Sequence, residues 1–145
     1  MGFADGVKAS VEKMQQQVNS RITQQAEQLF RGIVSYSPVN LEFHASKRGE
    51  LINNWWYGEG AGNYNLTHSS AFDASGTSSY NEAAKARNST EFLGKDGEIS
   101  FTNSTPYIML AEYSGWQPPK WSGRVGPYAM VRKALNDNTA QYKDK

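Results

Sequence analysis

Apolar residues recur along the first part of the chain at one helical spacing. Val7, Val11, Met14, Val18, Ile22, Ala26, Leu29 and Ile33 are separated by four, three, four, four, four, three and four positions. That spacing sets them on one stripe and predicts an amphipathic helix over Ala4–Val34. Gln, Lys and Glu fill the other faces, and nothing interrupts the pattern before Gly32. Such a helix runs ~45 Å, longer than a domain of this size can cover. A break, or an overhang used in assembly, is therefore expected. Ser37-Pro38 closes the helix, because Pro38 disfavours α geometry at Ser37.

The pattern then changes. Asn40–Lys47 is polar and reads as loop. Leu51–Tyr57 reads as a strand, with Ile52 and Trp56 on one face and Leu51, Trp55 and Tyr57 on the other. Gly58–Gly62 is a flexible turn, since it lacks the Lys-Ser/Thr of a phosphate loop. The chain over 58–79 is polar and reads as an extended loop or arm. Tyr80–Glu91 reads as a helix capped by Ser78 or Ser79, with Glu82 placed for a capping box. Asp96-Gly97 between apolar flanks is a hairpin cue. Ile99 and Phe101 share one face of a following strand, and Pro106 breaks its ladder. An apolar run, Tyr107–Tyr113, comes next. A loop rich in Gly, Pro and Trp leads to Gly126-Pro127. That pair opens a last helix over Tyr128–Tyr142, with Val131, Leu135 and Ala134 inward.

Composition narrows the chemistry. A chain of 145 residues suits one domain over 1–145 with a core of its own. It has no cysteine, which removes disulfides and thiolate metal sites. Its two histidines, His44 and His68, stand far apart in polar segments and lack metal-ligand spacing. No nucleophile elbow is present. Glu98 and Glu112 could be drawn as an acid/base pair, but such carboxylates are normally solvated or ion-paired. No cofactor is expected, and the chain reads as a non-enzyme. The formal charge is +1, so bulk electrostatics do not point to nucleic acid. From Lys120 onward, however, six basic residues face two acidic ones. No apolar run approaches the ~20 residues of a membrane helix, and no leader pattern opens the chain. Synthesis in the cytoplasm and no membrane partner are the expectation.

The aromatic residues are more informative. Tyr113, Trp116, Trp121 and Tyr128 crowd one loop. Two tryptophans there are costly to leave in water, so the loop either packs on its own core or meets a partner. One alternative reading is a binding module that recognises a carbohydrate or peptide through Trp116 and Trp121.

Three blocks of residues, taken in order, resemble a known family. Ser37-Pro38-Val39 followed by Arg48-Gly49-Glu50-Leu51-Ile52-Asn53-Asn54-Trp55 resembles the S-P-V-D-T-G-x-L-R-x-S-W signature of small neck and tail-completion proteins of tailed bacteriophages. Asn103-Ser-Thr-Pro106-Tyr107 with Leu110-Ala-Glu112-Tyr113-Ser-Gly115 looks like the same family's N-x-x-P-Y-A-x-x-L-E-x-G segment. Gly126-Pro127-Tyr128-Ala-Met-Val-Arg132-Lys-Ala-Leu135 is similar to its terminal helix. Order and spacing agree over most of the chain. The departures are Asn40 and an inserted Leu41–Lys47 stretch where the family has Asp-Thr-Gly, and a long Gly115–Gly126 loop.

The resemblance implies an α+β fold, with a small, mainly antiparallel sheet flanked by a long N-terminal helix and a C-terminal helix. It implies a ring-forming structural subunit without catalysis or cofactor. Rings of this kind, six-fold or twelve-fold, sit at the head–tail junction or at the top of the tail tube. Partners would be further copies of the chain, head–tail connector or portal-associated proteins, and tail tube or terminator proteins. Localisation would be the virion, with assembly in the host cytoplasm. Tail terminator, tail-completion and connector roles all remain open. The interface candidates are Trp55, Tyr57, Tyr64, Phe72, Tyr113, Trp116, Trp121 and Tyr128. Lys120, Arg124, Arg132 and Lys133 are the candidates for a lumen in non-specific contact with packaged DNA.

Overall fold

A computed structural model describes residues 2–39, 49–60, 62–64, 75–93, 97–105, 108–115 and 127–143. The fold is α+β. In chain order it comprises helix α1 (Phe3–Ser35), strand β1 (Trp55–Glu59), helix α2 (Thr77–Ala84) with a 3₁₀ turn (Lys85–Asn88), strand β2 (Ile99–Asn103), a π-helical turn (Leu110–Ser114) and helix α3 (Met130–Lys143).

Helix α1 is one unbroken rod of 33 residues, ~50 Å long. Of the break and the overhang that the sequence allowed, the overhang is present. Among the described residues, only the second half of α1 meets the rest of the fold. There Asn19, Thr23, Glu27, Phe30, Ile33 and Val34 are buried. The inward face thus begins with polar side chains, each provided with a partner. Asn19 Nδ2 donates to Ser89 O at 2.9 Å, and Thr23 Oγ1 donates to Ser20 O at 3.0 Å. Glu27 pairs with Arg31 at 2.9 Å and with Arg87 of the 3₁₀ turn at 2.8 Å. Pairing lowers the cost of burying such groups, and among these residues Asn19 Oδ1 is the atom left with neither a hydrogen bond nor an ion pair.

The sheet is two-stranded and antiparallel. Trp55 stands opposite Asn103, Tyr57 opposite Phe101 and Glu59 opposite Ile99. Phe101 lies between two rings. Its centroid is 4.5 Å from Phe30 of α1 and 5.4 Å from Trp55, with interplanar angles of 9° and 8°. This stack joins helix to sheet, and Leu51, Ile52, Ile33, Val34 and Met130 close the core around it.

Helix α2 covers the free edge of β1. The Trp55 N–H donates to Ser79 Oγ at 2.9 Å and the Tyr57 N–H donates to Glu82 Oε1 at 3.2 Å. Side chains of a helix here satisfy backbone donors that a third strand would otherwise take. Ser79 and Glu82 are therefore edge partners, and the capping roles expected of them are not found. The residue that precedes the helix is Gly76, at φ +71°. A Cβ on Gly76 would lie 2.9 Å from Ile52 Cγ1, so both backbone and space require glycine.

Several other expectations need correction. The strand starts at Trp55, and residues 49–53 form a turn. Asn53 and Asn54 explain why. Their side-chain amides donate back to Gly49 O at 2.9 Å and Glu50 O at 2.6 Å, which competes with a ladder. The helix expected over Tyr80–Glu91 begins earlier and tightens to 3₁₀ at Lys85. Phe92 and Leu93 lie in a turn, and β2 pairs with β1 across a long sequence separation. Asp96 of the expected hairpin lies outside the described residues. On α3 the buried residues are Met130 and Ala134, whereas Leu135 is 47% exposed. Gly32 allows α3 this close, since its Cβ position is 3.2 Å from Ala134 Cβ.

Candidate assembly surface

Among the described residues, the surface with the most exposed apolar side chains is the first half of α1. Phe3 is 90% exposed, Val7 45%, Val11 46%, Met14 63% and Val18 55%. These continue the stripe visible in the sequence, yet they do not share the face that packs on the domain. At 3.6 residues per turn, the Phe3–Val18 stripe and the Asn19–Thr23–Glu27–Phe30–Val34 face lie roughly 160° apart. The helix therefore presents polar groups inward at Asn19 and Thr23 while its apolar positions Val7 to Val18 look outward. An isolated helix of ~16 residues is marginal in water. Here the anchored half supplies the nucleus, and Gln15, Gln16 and Gln17 are good helix formers that carry it outward.

A second, smaller apolar shoulder lies where the π-helical turn meets α3. Met109, Leu110 and Tyr113 are exposed there. The Arg132 guanidinium sits 5.2 Å from the Tyr113 ring centroid. Beneath the shoulder, the buried Glu112 carboxylate accepts from the Val131 N–H at 3.0 Å and from the Arg132 N–H at 3.2 Å. Glu112 thus caps α3 from a distant element and places negative charge at its positive end. The Tyr128 N–H donates to Ala111 O at 2.7 Å, and Arg132 Nη2 donates to Glu112 O.

The aromatic interface candidates separate in space. Trp55 and Tyr57 are buried in the chain's own core. The Tyr57 hydroxyl donates to Glu59 Oε1 at 2.9 Å. Burial is the main reason that its pKa is pushed up to about 12. Tyr64 and Tyr113 are exposed, and Tyr128 is half-buried. Phe72, Trp116 and Trp121 lie outside the described residues, as do Lys120 and Arg124. Of the four basic candidates, Arg132 is held by Glu112 and Tyr113, and Lys133 Nζ stands 5.6 Å from the Tyr36 ring centroid. The Tyr36 hydroxyl in turn donates to Asp137 Oδ2 at 2.5 Å, a bond that raises its pKa.

The α1 stripe and the Met109–Leu110 shoulder were not among the candidate site residues. The spacing of Val7 to Val18 carried the signal for the first. For the second no local signal exists, because the exposure of Met109 depends on how the π-helical turn meets α3.

Among the described residues, no group of three His, Asp or Glu side chains could hold a metal ion, and no helix is long and apolar enough to cross a membrane. Comparison with protein-family models, with curated proteins and with solved structures gave no match.

Proposed function

We propose that the chain is a structural virion protein of a tailed bacteriophage. It forms a ring at the head–tail junction or at the top of the tail tube, completes the tail and joins it to the head. One observation carries this reading: the residues that make the resemblance act as internal braces. Ser37 and Trp55 of the first block are bonded to each other at 2.8 Å. Trp55 lies directly across the sheet from Asn103 of the second block. The Asn103 amide donates to Leu51 O at 2.9 Å, and its carbonyl accepts from the Thr105 N–H at 3.0 Å and the Thr105 hydroxyl at 2.7 Å. Glu112 of the second block caps the helix of the third.

A signature spent on bracing fits a protein whose task is to hold a shape. A ring subunit also needs two different contact patches on each copy. The α1 stripe and the Met109–Leu110–Tyr113 shoulder are exposed apolar patches on different elements, so each copy can make a second contact besides the one at α1.

The test is genetic and visual. In a phage that encodes this chain, a nonsense mutation in its gene should leave filled heads and separate tails in electron micrographs of the lysate. Normal numbers of joined, infectious particles would overturn the reading.

A further inference from the structure

We infer that the exposed half of α1 is a self-association surface, and that its occupant is α1 of a second copy, running parallel and in register. The spacing of the apolar positions points to this occupant. Ala4, Val7, Val11, Met14 and Val18 fall three, four, three and four residues apart, which is an alternating a/d seam. A seam of this kind is self-complementary, because each side chain fits a hole formed by the same residues of a second helix. Val11 and Val18 are β-branched residues at a positions, which within a parallel coiled coil suit two strands.

The flanks agree. The e and g positions are Phe3, Lys8, Ser10, Gln15 and Gln17, with a single charge among them. In a parallel pair Lys8 falls beside Phe3 of the second copy, so no like charges meet across the seam. Asp5, Glu12 and Lys13 sit at b and c positions and stay in water.

The area is adequate as well. Five half-exposed or fully exposed apolar side chains offer on the order of 500 Å² per copy, or ~1,000 Å² in the pair, the threshold for a small biological interface. The shoulder at Met109 is a less suitable occupant, since it spans only a short turn while the stripe runs ~24 Å along the helix.

The inference rests on the ring reading only in that copies of the chain meet. Cysteine cross-linking tests it cleanly, because the chain has no cysteine of its own. Val7→Cys and Val18→Cys should each give a disulfide-linked dimer under mild oxidation. Ala9→Cys, on the opposite face of the exposed segment, should remain monomeric on a denaturing gel. Linkage no faster at Val7 and Val18 than at Ala9 would overturn the inference. Linkage of Val7→Cys only to Val18→Cys in a mixture would overturn the parallel arrangement.

The double variant Val11→Glu/Met14→Glu should keep the circular dichroism of the wild type, since both side chains are exposed, and should dissociate at least ten-fold more readily in sedimentation. An unchanged association constant would overturn the inference. Either failure removes the α1 contact, while the virion reading is decided separately by the micrographs.

Discussion

The Trp55 indole N–H donates to Ser37 Oγ at 2.8 Å, with both groups buried. The serine hydroxyl passes the bond on to Ile33 O at 2.8 Å, so the end of α1 is tied to the first residue of β1. Ser37→Ala would leave a buried indole donor without its acceptor. The expected loss is about 1–3 kcal/mol. Urea denaturation followed by tryptophan fluorescence would measure it. A stability equal to wild type would show that the bond contributes nothing net.

Glu112 is the cap on which α3 depends. Glu112→Ala should destabilise the fold by about 1–3 kcal/mol and fray the start of α3. Glu112→Gln keeps an acceptor for the Val131 and Arg132 amides and should cost less. Hydrogen exchange at those two amides distinguishes local fraying from a global loss. Equal exchange in wild type and the alanine variant would rule out the capping role.

Gly76 should not tolerate a side chain. Its positive φ and the 2.9 Å approach to Ile52 Cγ1 both oppose a Cβ. Gly76→Ala is expected to cost about 1–3 kcal/mol. Gly6→Ala meets nothing within 4 Å and lies in the α1 helix, so it should be neutral or slightly stabilising. Thermal melts of the two variants should move in opposite directions, or only the first should move.

Tyr57 gives the fold a specific alkaline weakness. Its pKa is pushed up to about 12, from an ordinary value of 10.0, mainly by burial. Below pH ~10 the phenol is neutral in both folded and unfolded chains, and its contribution to stability is complete. Above that, the unfolded chain ionises first, so stability falls through pH 10 to about 12. Tyr57→Phe should flatten this part of the profile. An ultraviolet titration of the wild type should show a late step that Tyr57→Phe reduces, the remainder belonging to Tyr36, whose pKa is also raised.

The sequence and the fold agree most closely where periodicity alone decides. The stripe from Val7 to Ile33 defined α1 almost to its ends, and Ile99 with Phe101 defined the inner face of β2. What the stripe could not reveal was which part of it the domain would cover. Asn19, Thr23 and Glu27 look like solvent-facing positions until Ser89 and Arg87 arrive from a segment about sixty to seventy residues later to pair with Asn19 and Glu27. Leu51–Asn54 has strand-like residues, but the two asparagine amides close a turn on their own backbone. The pairing of β1 with β2 is long-range, and no local signal marks it. Trp55 and Tyr57 carried the aromatic character of an interface, yet Ser37 and Glu59 take their polar atoms inside the domain.

Copies of this chain are expected to assemble through the exposed half of α1. The direct measurement is the mass of the wild-type protein by light scattering, across a concentration series, with negative-stain images of the same samples. The expected result is a species of defined stoichiometry, a multiple of the 16.1 kDa chain, that the Val11→Glu/Met14→Glu substitution returns to monomer. A wild-type mass of 16.1 kDa at every concentration up to ~1 mM would contradict it.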